Sequence, residues 1–139
     1  MRSSVFLVAV LLCGCRDSHD GDRTPSAFMG AYVGTCEQTK DGDAGYLASG
    51  IVESCVSDRG VLSFVYTLNP DTDDAMTREV TGGIQSGGQF VGSEWKSTVD
   101  YIRCYGTFSL VGDVLDGEIV KRVGDPTATY RLRFALPRR

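Results

Sequence analysis

Histidine is nearly missing from this 139-residue chain: the only one, His19, stands in a polar stretch near the start. A serine or cysteine nucleophile needs a base beside it, and histidine is the usual one. A serine–histidine or cysteine–histidine hydrolase is thereby excluded from the rest of the chain, and no catalytic activity is expected. Cys36, Cys55 and Cys104 are isolated from one another and from His19, which argues against a zinc site; neither a metal nor a cofactor is expected. Basic runs are also lacking, since 14 Lys and Arg stand against 18 Asp and Glu, a net charge of −4. A nucleic-acid binder would normally be basic, and no such partner is expected. The nearest thing to a basic patch, Arg131, Arg133, Arg138 and Arg139, reads as a solvated strand face and a frayed terminus rather than a site for an anionic surface. Nor does any segment keep a helical period, and the longest apolar run falls well short of the roughly 20 residues that a membrane-spanning helix needs.

The first residues have a different character. One positive charge, Arg2, precedes the unbroken apolar run Val5 to Leu12, which leads into Cys13-Gly14-Cys15. That order of charged, apolar and small residues is a secretory signal. Leu12-Cys13-Gly14-Cys15 resembles the lipobox of bacterial lipoproteins, with an apolar residue three places before the cysteine and a small one just before it. The resemblance implies that residues 1–14 are removed and that Cys15 carries a diacylglycerol, with a further acyl chain such as palmitate on its new amino group. Two or more acyl chains hold a protein firmly on a membrane. Arg16 follows Cys15 where an aspartate would favour inner-membrane retention, so the same resemblance implies the outer membrane, facing the periplasm. Cleavage would remove Arg2 alone among the charged side chains, leaving 13 basic against 18 acidic groups, a net of −5. Residues 15–26 are polar and read as a flexible tether, and 27–139 is the right size for one domain.

From Ala27 onward, short apolar–polar alternations are cut by glycine, asparagine and aspartate clusters every eight to twelve residues or so, the pattern of an all-β barrel or sandwich. The clearest unit is a hairpin turning at Gly112-Asp113. Pairing outward from it sets Leu110 against Leu115, Phe108 against Gly117 and Gly106 against Ile119 on one face, with Ser109, Asp116, Thr107 and Glu118 on the other. Tyr130, Leu132, Phe134 and Leu136 form the apolar face of a last strand. Gly87-Gly88 is expected to turn a further hairpin, bringing Ile84 opposite Val91 and Val80 opposite Trp95. Phe28 to Glu37, Leu47 to Val56 and Val61 to Leu68 complete about eight strands in simple succession. An antiparallel up-and-down meander of that number closes readily into a barrel; a two-sheet sandwich is the alternative. Phe28-Met29-Gly30-Ala31-Tyr32-Val33-Gly34-Thr35-Cys36 resembles the opening strand of small calycin-like barrels, the group that includes lipocalins and avidins. The tryptophan usual in lipocalins after the first glycine is absent, and Tyr32 stands near its place. The resemblance implies a barrel whose inner end accepts a ligand.

An oxidising compartment favours cysteine pairing. If the first hairpin turned near Gly45-Tyr46, Cys36 and Cys55 would lie opposite each other, and this is the first choice of bridge; Cys36–Cys104 is the rival. Glu53, Glu94 and Glu118 alternate with apolar residues as outward strand positions do, which sets aside a carboxylate-based glycoside hydrolase. Asp41-Gly42-Asp43 and Asp71 to Asp74 fit turn chemistry better than calcium ligation, since neither completes an EF-hand. Tyr66, Trp95, Tyr101 and Tyr105 are the side chains best able to line a pocket or anchor a partner, although filling the barrel is the simpler role for them. The expected function is therefore that of a non-catalytic, lipid-anchored barrel of the cell envelope, binding a small apolar ligand inside or an envelope protein outside. The alternative is a periplasmic inhibitor or immunity protein acting on a lysozyme-like or toxin enzyme, for which an anionic surface would suit a basic target.

Overall fold

The structure, a computed structural model, describes residues 24–139. The expected signal sequence, Cys15, His19 and most of the expected tether lie outside the described residues. A 3-10 helix, Thr24–Phe28, begins inside the segment read as tether. Eight strands follow: β1 (Gly30–Lys40), β2 (Asp43–Val56), β3 (Val61–Leu68), β4 (Met76–Ile84), β5 (Gln89–Trp95), β6 (Tyr101–Val111), β7 (Val114–Val123) and β8 (Ala128–Pro137). Each pairs antiparallel with the next, and β8 returns to β1, setting Cys36 opposite Phe134 and Thr39 opposite Arg131. That last pairing closes an up-and-down barrel without edges and excludes the sandwich.

Register decides which residues see the interior, because a slip of one position exchanges the two faces of a strand. The β6–β7 hairpin has the register expected from its sequence, with Phe108 opposite Gly117, Ile119 opposite Gly106, and Gly112 in the left-handed region at φ 63°. Two other turns differ from expectation. The β1–β2 reversal falls at Asp41-Gly42, not near Gly45-Tyr46, with Gly42 at φ 80° and Lys40 paired with Asp43. Cys36 therefore faces Gly50, while Cys55 faces Ala31, five positions along β1. Distance forbids the Cys36–Cys55 bridge, and the Cys36–Cys104 bridge does not form either; both of those cysteines are buried free thiols.

The β4–β5 turn holds three residues, Ser86, Gly87 and Gly88, rather than two. Gln85 N–H donates to Gln89 O at 2.8 Å, and Gly88 N–H to Gln85 O at 2.8 Å. Gly88 has φ 85°, and a Cβ there would meet Phe108 O at 2.2 Å, so only glycine fits. A left-handed glycine at the end of a three-residue loop adds one residue to the strand pairing. Ile84 accordingly pairs with Phe90 and Val80 with Glu94, where Val91 and Trp95 were expected. Phe90 and Glu94 turn inward, both almost wholly buried, and Trp95 turns outward.

The middle of the barrel is filled by side chains. Phe90, Phe108, Phe134 and Phe64 form a tilted chain of rings with centroids 5.4, 5.2 and 5.0 Å apart, the offset geometry that aromatic pairs prefer. Phe90 lies so close on Gly82 and Gly92 that a Cβ at either would meet its ring within 2.8 Å. The 3-10 helix closes one end of the barrel. There Tyr32, fully buried, donates its hydroxyl to Phe28 O at 2.6 Å, and the Arg138 guanidinium lies over the Tyr32 ring at 5.2 Å and donates to Met29 O. Arg138 is thus part of the cap and not of a frayed terminus. Arg131 joins Asp41 and Glu118 at 2.9 and 2.8 Å, and Arg133 joins Glu118 at 3.0 Å, binding β8 to its neighbours.

Candidate functional site

At the end opposite the cap, the turns at 41–42, 69–75, 96–100 and 124–127 leave the barrel open. Just below the rim, alternation brings Tyr66 from β3, Glu94 from β5 and Lys121 from β7 to a common point in the interior. Tyr66 donates its hydroxyl to Glu94 Oε1; Lys121 Nζ donates to Glu94 Oε2 at 2.6 Å and to the Tyr66 oxygen at 3.1 Å. The Lys121 ammonium also lies 5.8 and 5.7 Å from the ring centroids of Tyr66 and Tyr130, a cation–π arrangement. Both ion-pair partners are shielded, with side-chain exposures of 11% for Lys121 and 3% for Glu94. Such a pair gains little net stability over an apolar replacement, because desolvating two charges consumes most of their attraction. A buried pair of this kind is a hypothesis of function more than an explanation of stability.

Above the pair lies a recess of about 210 Å³, lined among others by Gln38, Tyr46, Arg78, Glu94, Lys96 and Lys121. Gln38 is 2% exposed. Its Nε2 donates to Tyr46 Oη at 2.9 Å, while its Oε1 has no hydrogen-bond partner. Tyr46 in turn meets the edge of Tyr130 at 5.7 Å. Arg78, half-buried beside Tyr66 on the adjoining strand, gives one N–H to Thr77 O at 3.0 Å. Among the described residues neither Arg78 nor Lys96 has a carboxylate partner.

Titration behaviour limits the chemistry. Burial, reinforced by the charge of Glu94, pushes the Tyr66 hydroxyl up, so it remains a neutral donor. Burial, with Glu37 adding to it, pushes the Cys36 thiol up to about 12; burial, then Glu94, does the same for Cys104. The thiolate is the reactive form, so neither cysteine is a nucleophile at neutral pH. The arrangement can bind and orient a polar molecule by hydrogen bonds and charge.

No family model matches the chain, and no curated protein and no solved structure matches it.

Of the four aromatics expected to line a pocket or anchor a partner, only Tyr66 reaches this site. Trp95 and Tyr101 pair across β5–β6 on the outer face, their centroids 4.7 Å apart, with the Trp95 indole N–H on Thr81 Oγ1 at 3.0 Å. Tyr105 is also outside, 44% exposed, with Arg122 over its ring. Glu94, expected to face solvent, is the most buried carboxylate among the described residues, a correction that follows from the three-residue β4–β5 turn. Gln38, Arg78 and Lys121 were not singled out from the sequence. For Lys121 a signal was present: extending the β6–β7 hairpin two positions past Ile119 puts it on the inner face, opposite Cys104.

Proposed function

We propose that this chain is a non-catalytic binding protein of the bacterial cell envelope, tethered by lipid on Cys15, whose barrel takes a small polar ligand at its open end. The observation that carries the reading is the recess floored by a buried Lys121–Glu94 pair and walled by a glutamine with an unsatisfied oxygen. Buried polar atoms are nearly always hydrogen-bonded, and a concave site with a few convergent polar groups is where ligands bind. The aromatic filling of the mid-barrel argues for a polar ligand near the rim over the apolar ligand expected within. The lipobox resemblance at Leu12 to Cys15 supports the location.

Metabolic labelling of the full chain with palmitate, combined with native mass spectrometry of the detergent-extracted protein, tests both halves. Label should enter the protein and be lost in Cys15→Ser, and a low-mass adduct should accompany the barrel. An unlabelled protein would overturn the anchor, and an adduct-free barrel the ligand.

A second reading, a protein inhibitor or immunity protein, is favoured by the exposed aromatics Tyr101 and Tyr105 on the outer face, residue types that dominate interface energetics. It predicts capture of an envelope enzyme that weakens as salt is raised.

A further inference from the structure

The recess differs in sign from the molecule around it. The chain carries a net charge of −4, yet the charged groups lining the recess are Arg78, Lys96 and Lys121 against Glu94 alone. Glu94 is already matched, both of its oxygens being occupied by Lys121 and Tyr66. Among the described residues no carboxylate lies within ion-pair distance of Arg78 or Lys96, although Asp71, Asp73, Asp74, Asp100 and Asp125 stand in the turns of the same rim. Lys40, on the same end of β1, sits over the Tyr130 ring at 5.9 Å and adds a further cation near the rim. A guanidinium held on a strand, with most of its N–H groups uncommitted, is suited to a carboxylate in the two-pronged fashion that arginine favours. Gln38 lines the same recess, and its Oε1 is an acceptor without a donor.

We infer that the recess binds a small hydroxycarboxylate, its carboxylate on Arg78 and Lys96 and its hydroxyl on Gln38 Oε1. A cationic donor in place of the hydroxyl would be repelled by Lys121 and Arg78, which disfavours a zwitterion such as an amino acid. The recess is about 210 Å³, so the ligand is small. The inference rests on the open-end binding reading above and names the chemistry of that ligand.

The test is titration of the detergent-solubilised full chain, followed by calorimetry and by backbone amide shifts, with four probes: L-lactate, acetate, inorganic phosphate and glycerol. Lactate should bind with saturation, acetate about tenfold more weakly, the value of one hydrogen bond of roughly 1.4 kcal/mol, and glycerol not at all. Arg78→Gln should weaken lactate at least tenfold, with Arg78→Lys intermediate. Gln38→Leu should reduce lactate to the level of acetate while leaving acetate unchanged. Arg103→Gln, exposed and away from the recess, is the control that should leave all four titrations unaltered, and thermal melts verify that each variant is folded. The inference is overturned if glycerol binds as well as lactate, if phosphate binds more tightly than lactate, or if Arg78→Gln binds normally. It is also overturned if none of the four probes binds while a low-mass adduct persists on the barrel, an outcome that would leave the broader binding reading standing.

Discussion

Tyr32 and Tyr66 are both fully buried, at opposite ends of one barrel, and they are used differently. At the capped end the Tyr32 hydroxyl is satisfied by Phe28 O and a guanidinium packs on its ring, while the buried Ser54 hydroxyl, opposite Tyr32 on β2, has no partner. At the open end the Tyr66 hydroxyl is bound to a carboxylate that is also held by a lysine, next to a glutamine oxygen bound to nothing. The Tyr32 contacts involve no buried charge pair and are of the kind that a stable closure uses. The arrangement around Tyr66 gives up hydrogen bonding that an apolar lining would not need, and such local losses are expected where a protein is built to receive something.

Changes that break one end and spare the other sharpen this contrast. The largest effect is expected from Glu94→Leu, which strands the Lys121 ammonium in the interior and should lower stability by about 3 kcal/mol or more. Glu94→Leu combined with Lys121→Leu should recover most of it in chemical denaturation, and a double variant no more stable than the single one would show that packing, not unpaired charge, is at issue. Next comes the cap: Arg138→Ala loses the cation–π contact and the bond to Met29 O, together about 2 kcal/mol, without altering any titration at the open end. A change in lactate binding in that variant would mean that the two ends are coupled.

Gln38→Leu removes both a satisfied and an unsatisfied group. Because an unpaired buried acceptor costs more than one hydrogen bond returns, the variant should be more stable by about 1 kcal/mol while binding less well. A destabilised variant would indicate that Oε1 is satisfied in solution.

The smallest effect concerns the ion pairs of β8. Burial raises the Glu118 pKa, but hydrogen bonds from Arg133 and Arg131 outweigh it and hold the carboxyl below its ordinary range. A carboxyl lowered in the folded state stabilises above its unfolded pKa, about 4.3, and the contribution is lost as pH falls through the folded value. Glu118→Gln should therefore be less stable than the parent at pH 7, by under about 1 kcal/mol, and the difference should shrink steadily as pH falls below the unfolded pKa. A difference that does not change with pH would remove these pairs from the account.

How much of this was legible beforehand depended on the turn. At Gly112-Asp113 the only hairpin that buries Phe108, Leu115 and Ile119 together is the one observed, so chemistry and geometry agreed. Between Ile84 and Trp95 both alternations carry apolar residues, Phe90 on one and Val91 with Trp95 on the other, and neither face announces itself. There the choice rested on whether the loop holds two residues or three, and Gly88, pressed against Phe108 O from a strand distant in sequence, made it three. The inward position of Glu94 was therefore hidden, and the Cys36–Cys55 pairing failed for the related reason that Asp41-Gly42 turns the chain earlier than Gly45.

By itself the sequence determined the strands, their number and their order, because a two-residue alternation and a glycine-containing turn are local features that each segment carries alone. Closure of β1 on β8, the register of β4 on β5, and the meeting of residues 38, 66, 94 and 121 were decided only by the tertiary structure. Each depends on a backbone contact or a charge supplied by a strand far away in the chain, and a shift of one residue would have exchanged the inside of the barrel for the outside.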